Sequence, residues 1–176
     1  MRSQCSSLTF VNFREAETSD IEAISALFLR CWHNSYKSIL NVDARESMTA
    51  SSSQNMWTDA LSKNPGRVTI MGYVDNVLVG FFRCGPDKND AKRGHLYSLY
   101  VDPDSAGRGF GKELMSKAVE NIMNRGFKVM SLWVFEGNIP ARTLYEKFSF
   151  MPTGNTRVTP EWGATEIEMV NLNINE

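Results

Sequence analysis

DPDSAGRGFGKELM, running from Asp102 to Met115, sets three glycines (Gly107, Gly109 and Gly111) within five residues and then begins a helical pattern. The first N–H groups of a helix lack intrahelical partners, and the helix dipole favours negative charge beside them. Glycines with no Cβ let an anion come close to those amides. The stretch therefore predicts a loop that cradles an anion, most naturally a phosphate, rather than a plain flexible turn. Two familiar phosphate loops do not fit. A Walker A loop ends in Gly-Lys-Ser/Thr; Gly111-Lys112 matches, but Glu113 replaces the hydroxyl and Ala106 stands where the first glycine belongs. A dinucleotide loop needs a third glycine where this chain has Lys112.

Outward from the loop, HLYSLYV (95–101) reads as a strand ended by Asp102-Pro103. From Gly109 to Arg125, residues Phe110, Leu114, Met115, Ala118, Val119, Ile122 and Met123 share a helical face, with Gly126 as the stop. KVMSLWVF (128–135) is a second strand. Strand, helix and strand make a βαβ unit with a parallel pair. Upstream, RVTIMGYVDNVLVGFFRCGP reads as a hairpin turning at Asp75-Asn76. NFREAETSDIEAISALFLRCW opens with a short strand and then a helix. Ser19 and Glu22 have capping-box spacing, and Ile21, Ile24, Leu27, Phe28, Cys31 and Trp32 lie on one face. SSSQNMWTDAL reads as a short helix carrying Met56, Trp57, Ala60 and Leu61, stopped by Asn64-Pro65-Gly66. Residues 140–148 read as a helix with Pro140 in its first turn, and 165–174 as the last strand. The order helix, hairpin, strand, helix, strand, helix, strand gives an α/β fold: a mixed sheet with helices on its faces.

Length and composition agree. The 176 residues suit a single domain over 1–176, and 42% hydrophobic with 22% charged residues suits a folded globular chain. The net charge of −1, with no basic block, argues against nucleic acid. No apolar run approaches the roughly 20 residues that span a bilayer, so no membrane role is expected. The scattered Cys5, Cys31 and Cys84 point to a reducing, cytoplasmic compartment, and residues 1–10 carry no secretion signal. His33 and His95 lie far apart and no cysteines are paired in sequence, so no metal is expected. A homodimer stays open.

LYSLYVDPDSAGRGFGKELM resembles the acetyl-CoA-binding segment of the GNAT superfamily of N-acetyltransferases. Its signature is Gln/Arg-x-x-Gly-x-Gly/Ala after a strand; Gly109 and Gly111 match, and Ala106 replaces the usual Gln or Arg. LWVFEGNIPARTLYEKFSF (132–150) resembles the family's following strand–Asn–helix segment, with Asn138 and Tyr145 at the matching positions and Ser149 where a glycine is usual. CWHNSYKSIL (31–40) resembles a Trp-x-x-x-Tyr stretch of members that acetylate small amines. Read from the residues alone, Asn138 could cap the helix after it and Tyr145 could be a core residue.

The resemblance implies a mostly antiparallel mixed sheet with a central parallel βαβ pair and helices on both faces. It implies acetyl-CoA as co-substrate and a primary amine, on a small molecule or a protein, as acceptor. Direct transfer needs a polarised thioester carbonyl, a deprotonated amine and a protonated leaving thiolate. The backbone of Leu99, Tyr100 and Val101 would contact the pantetheine arm. Ala106, Gly107, Arg108, Gly109, Phe110, Gly111 and Lys112 would hold the pyrophosphate, chiefly through amides from Gly107 to Lys112. Asn138 and Tyr145 would face the thiol, with Tyr145 as general acid. His95, sharing a strand face with Tyr97 and Leu99, would be the base in place of a glutamate. Trp32, His33 and Tyr36 would line the acceptor pocket. Ala106 and the missing glutamate support the alternative of a non-catalytic acyl-CoA-binding module on the same fold; a nucleotide-binding protein using the glycine loop is a third reading.

Overall fold

Residues 10–64 and 66–175 are described by a computed structural model. Residues 1–9 with Cys5, Pro65 of the expected helix stop, and Glu176 lie outside them. Among the described residues, seven strands form one sheet in the order β1-β2-β3-β4-β5-β7-β6. They are β1 (Asn12–Glu15), β2 (Val68–Val74), β3 (Val77–Pro86), β4 (Gly94–Val101), β5 (Met130–Phe135), β6 (Met151–Thr159) and β7 (Ala164–Asn171). β4 and β5 are parallel, and every other neighbouring pair is antiparallel.

The helices fall on both faces. Helices α1 (Ile21–Ser35), α2 (Val42–Ser47) and α3 (Ala50–Ser62) cover one face, and α4 (Phe110–Asn124) and α5 (Ile139–Glu146) the other. On the α4 side, Leu114, Met115, Ala118 and Ile122 are fully buried against Phe82, Leu96, Met130 and Leu132. On the α1 side, Ile24, Leu27, Phe28 and Trp32 pack with Trp57, Met71 and Phe81. A buried side chain of this size contributes about 1.5–3 kcal/mol. The two cores hold the sheet from opposite sides.

Several local expectations hold. The β2–β3 hairpin turns at Asp75 and Asn76 with φ of 48° and 64°, as a type I′ turn requires. Gly126 ends α4, and its N–H reaches Met123 O. Others are corrected. The start of α1 is preceded by a 3₁₀ turn over Thr18–Asp20. There Glu17 N–H donates to Asp20 Oδ2 at 2.8 Å, so the cap lies at Glu17 and Asp20 rather than Ser19 and Glu22. Met56 is exposed while Trp57 is buried, because successive residues of a helix point about 100° apart and only Trp57 faces the α1 core. Helix α2 and strand β6 were not expected. Pro152, Gly154 and a wholly polar run disguise β6, which is an exposed edge strand except for its last residue.

Candidate active site

The site begins where two strands part. β4 pairs with β5 only from Gly94↔Met130 to Leu96↔Leu132. Its register with β3 slips just there: Cys84 faces Leu96 and Arg83 faces Ser98, leaving Tyr97 as the extra residue of a bulge. A bulge bends and twists its strand, so β4 beyond Leu96 leans away from β5. It also breaks the alternation of faces. Leu96 and Leu99 both pack on the α4 side, whereas Tyr100 packs on the α1 side. The expected shared face of His95, Tyr97 and Leu99 is therefore corrected in part: the His95 and Tyr97 rings lie together, 4.6 Å between centroids, whereas Leu99 turns to the α4 side.

Between the diverging strands lies a cavity of about 440 Å³, bordered by Cys31, Tyr36, Leu99, Tyr100, Val101, Asn138 and Tyr145 among others. Backbone groups of an antiparallel strand alternate in direction. Asp102 N–H donates to Val79 O on β3, so Val101 faces the cavity, Tyr100 faces β3 and Leu99 faces the cavity again. The Cys31 thiol confirms the direction by reaching Val101 O at 3.1 Å. Of the three residues expected to offer backbone contacts, Leu99 and Val101 turn their backbone groups to the cavity, and Tyr100 turns its own to β3.

The glycine loop opens onto a second cavity of about 750 Å³ that shares Val101, Ala106, Pro140 and Leu144 with the first. Gly107 and Gly109 have φ of 76° and 88°, the left-handed region that other residues adopt at a cost of about 1–2 kcal/mol. A Cβ at either would meet nothing within 4 Å, so their glycines answer a backbone demand and leave open space beside the amides. Gly109 is the N-cap of α4 and offers no side-chain cap. Gly109 O accepts from Lys112 and Glu113, and Ala106 N–H donates to Pro103 O. The N–H groups of Gly107 through Gly111 have no acceptor among the described residues. The expected set of amides thus loses Lys112, a residue that borders the cavity together with Lys147.

Asn138 and Tyr145 come together where the first cavity meets a third, of about 180 Å³. Asn138 also caps α5: its Oδ1 accepts from Ala141 N–H at 3.3 Å. Tyr145 is buried, and burial pushes its phenol above the ordinary range, so it stays protonated and can donate. Its hydroxyl has no hydrogen-bond partner among the described residues. Burial pushes the Cys31 thiol up to about 12, which makes it a poor nucleophile. Of the residues expected to line an acceptor pocket, Trp32 and Tyr36 border the third cavity, whereas His33 is exposed and borders none of these cavities. Ser98, Trp133, Trp162, Arg157 and Glu166 join them unexpectedly. Glu166 and Glu168 are buried carboxylates alternating with Ile167 and Met169 in β7, and that was the available signal in the sequence.

His95 borders a fourth cavity of about 220 Å³, which shares Tyr97, Trp133, Arg157 and Glu166 with the third. It is a buried residue, not an exposed strand start. Its Nδ1 lies 2.7 Å from Ser131 Oγ, which in turn donates to Asp87 Oδ2 at 2.8 Å. With the serine proton directed to the carboxylate, Nδ1 carries the imidazole hydrogen and Nε2 keeps its lone pair. Burial pushes the imidazole down to about 4; Asp87 opposes this, and Arg93, Arg157 and Arg67 add to it. His95 is therefore neutral near pH 7.

Comparison with known proteins agrees with this architecture. The model of the acetyltransferase (GNAT) family matches residues 21–150. The chain is 27% identical over 141 residues to the uncharacterized N-acetyltransferase YuaI of Bacillus subtilis, covering 79% of each chain. Two solved structures share the fold. The PaiA N-acetyltransferase of Thermoplasma acidophilum in complex with coenzyme A has a TM-score of 0.70 at 19% identity, over 90% of this chain and 98% of that one. YncA of Salmonella typhimurium with acetyl-CoA has a TM-score of 0.70 at 17% identity, over 96% of each chain. A sheet parted at β4 and β5, a glycine loop at the head of α4 and a family match over most of the chain lead to one conclusion: the protein belongs to the acetyltransferase (GNAT) family and is an acyltransferase.

Proposed function

We propose that the protein transfers acetyl from acetyl-CoA to a primary amine, directly and without an acetyl-enzyme. The observation that carries this reading is the run of cavities from the free amides at Gly107–Gly111, along the gap beside Leu99 and Val101, to Tyr145 and the polar chamber at His95. The loop amides, with Lys112 and Lys147, suit a pyrophosphate. The gap suits a pantetheine arm, whose amides would pair with the free backbone of β4. The coenzyme A and acetyl-CoA bound in the two similar structures support the same donor.

In this reading the ammonium first loses a proton toward Nε2 of His95, directly or through water. The amine nitrogen attacks the thioester carbon, whose oxygen is held by a backbone N–H of β4. As the C–S bond breaks, the Tyr145 phenol protonates the thiolate, and the nitrogen's second proton restores the phenol through solvent. An imidazole near 4 is a weak base, so a bound amine must itself be easy to deprotonate.

Thiol release from acetyl-CoA in the presence of an amine panel tests the proposal. Tyr145→Phe is expected to lower kcat by about 100-fold or more while coenzyme A affinity, read by calorimetry, stays within about twofold. Unchanged kcat would remove Tyr145 as the acid. Coenzyme A binding with no thiol release for any amine would favour the non-catalytic alternative.

A further inference from the structure

We propose that the acceptor amine also carries a carboxylate, and that Arg67 holds it on the far side of the chamber at His95. The inference rests on the acetyl-transfer reading above and names the substrate class of that site.

The carboxylates bordering the chamber are already engaged. Asp87 Oδ2 accepts from Arg93 Nε at 2.7 Å and from Ser131 Oγ at 2.8 Å, and its Oδ1 accepts from Asn89 N–H at 2.8 Å. Glu166 accepts from Arg157 Nε and Nη2 at 2.8 and 3.1 Å and from Thr159 Oγ1 at 3.3 Å. The cations are not matched in the same way. The Arg67 guanidinium lies 3.9 Å from the centroid of the Tyr97 ring and donates to Asn64 Oδ1 at 3.1 Å. No carboxylate lies within ion-pair distance of Arg67 or of Lys88 among the described residues. With His95 neutral, the ring of side chains around the chamber carries a net positive charge.

The adjoining cavity repeats the imbalance. Trp32 and Ser98 both border it, and Trp32 Nε1 and Ser98 Oγ are buried without a hydrogen-bond partner. The connected space therefore offers an unpartnered indole donor and cations without a carboxylate partner, while its own carboxylates are taken. That suits an anionic oxygen and disfavours a polycation. Burial, the main cause of the lowered His95 pKa, likewise disfavours a bound ammonium, and Arg157 and Arg67 add to it against Asp87, which favours the neutral amine that attacks. A small amino acid supplies both groups. Its amine would reach toward the thioester, and its carboxylate would meet a guanidinium already fixed against Tyr97.

Matched pairs test this. Thiol-release kcat/KM is measured for small amino acids, for their carboxamides, and for diamines of similar length. The acid is expected to exceed its amide by about tenfold or more, the effect of a charge-assisted hydrogen bond. Arg67→Gln is expected to bring that ratio close to one, and Arg67→Lys to retain part of it. Acetyl-CoA affinity by calorimetry checks that each variant is folded. If Arg67→Gln does not fold, competitive inhibition of the wild-type protein by a carboxylic acid lacking the amine decides instead. Equal or better turnover of amides or diamines by the wild-type protein overturns the proposal. So does an unchanged acid-to-amide ratio in folded Arg67→Gln, or no inhibition by the acid. Failure of every amine to release thiol would overturn the acetyl-transfer reading, and this inference with it.

Discussion

His95 ties the site to the stability of the chain. Its imidazole titrates near 4 in the folded protein and near 6.5 when unfolded. The unfolded state therefore binds a proton that the folded state refuses between those values. Stability from this group is complete above about pH 6.5 and falls as pH drops toward 4. The carboxylates held below their ordinary range, Asp20, Asp87 and Glu168, begin to act only below about pH 4.5. Between pH 6.5 and 5 the wild-type protein should thus lose on the order of 2 kcal/mol that His95→Gln does not lose. Urea unfolding of both proteins at a series of pH values measures the difference, and equal slopes would show that His95 is not held neutral. Tyr145, Asn138 and the loop glycines were legible because they follow one another closely along the chain. Arg67, Ser98, Arg157 and Glu166 were not, because only the folded sheet brings residues so far apart in sequence around one chamber.

At the scale of the element, β4 explains what a sequence pattern misses. Its residues read as a regular strand, yet one unpaired residue at Tyr97 redirects every side chain beyond it and opens the gap to β5. Register slips of this kind depend on the neighbouring strand and leave no mark in periodicity. The helices α1, α4 and α5 were legible because their apolar faces repeat clearly. β6 was not, because an edge strand need not alternate. The end of α5 was partly legible. Ser149, where a glycine is usual, adopts φ of 60°, and the next amide, of Phe150, closes onto Tyr145 O at 3.1 Å. That pattern is a left-handed helix stop. Ser149→Gly should therefore raise stability by about 1 kcal/mol, read as a higher urea midpoint at unchanged m-value. A lower midpoint would show that the hydroxyl supplies more than the strain removes.

Across the whole molecule, the two cores grip the sheet on either side of the line where it opens. The α4 core anchors the glycine loop and α5; the α1 core anchors Trp32, Tyr36 and Tyr100. The connected cavities run between them, and in the proposed reaction donor and acceptor enter from opposite ends and meet beside Tyr145. Cys31, the one cysteine bordering this path among the described residues, is held as a thiol by burial. The proposed transfer is direct, with no acetylated protein on the way. The protein is mixed with a stoichiometric amount of acetyl-CoA, first without and then with a productive amine, while thiol release and intact protein mass are followed. Direct transfer predicts no thiol and an unchanged protein mass without amine, then one equivalent of thiol and of acetylated amine once it is added. Thiol release without amine, with the acetyl group on the protein, would contradict it.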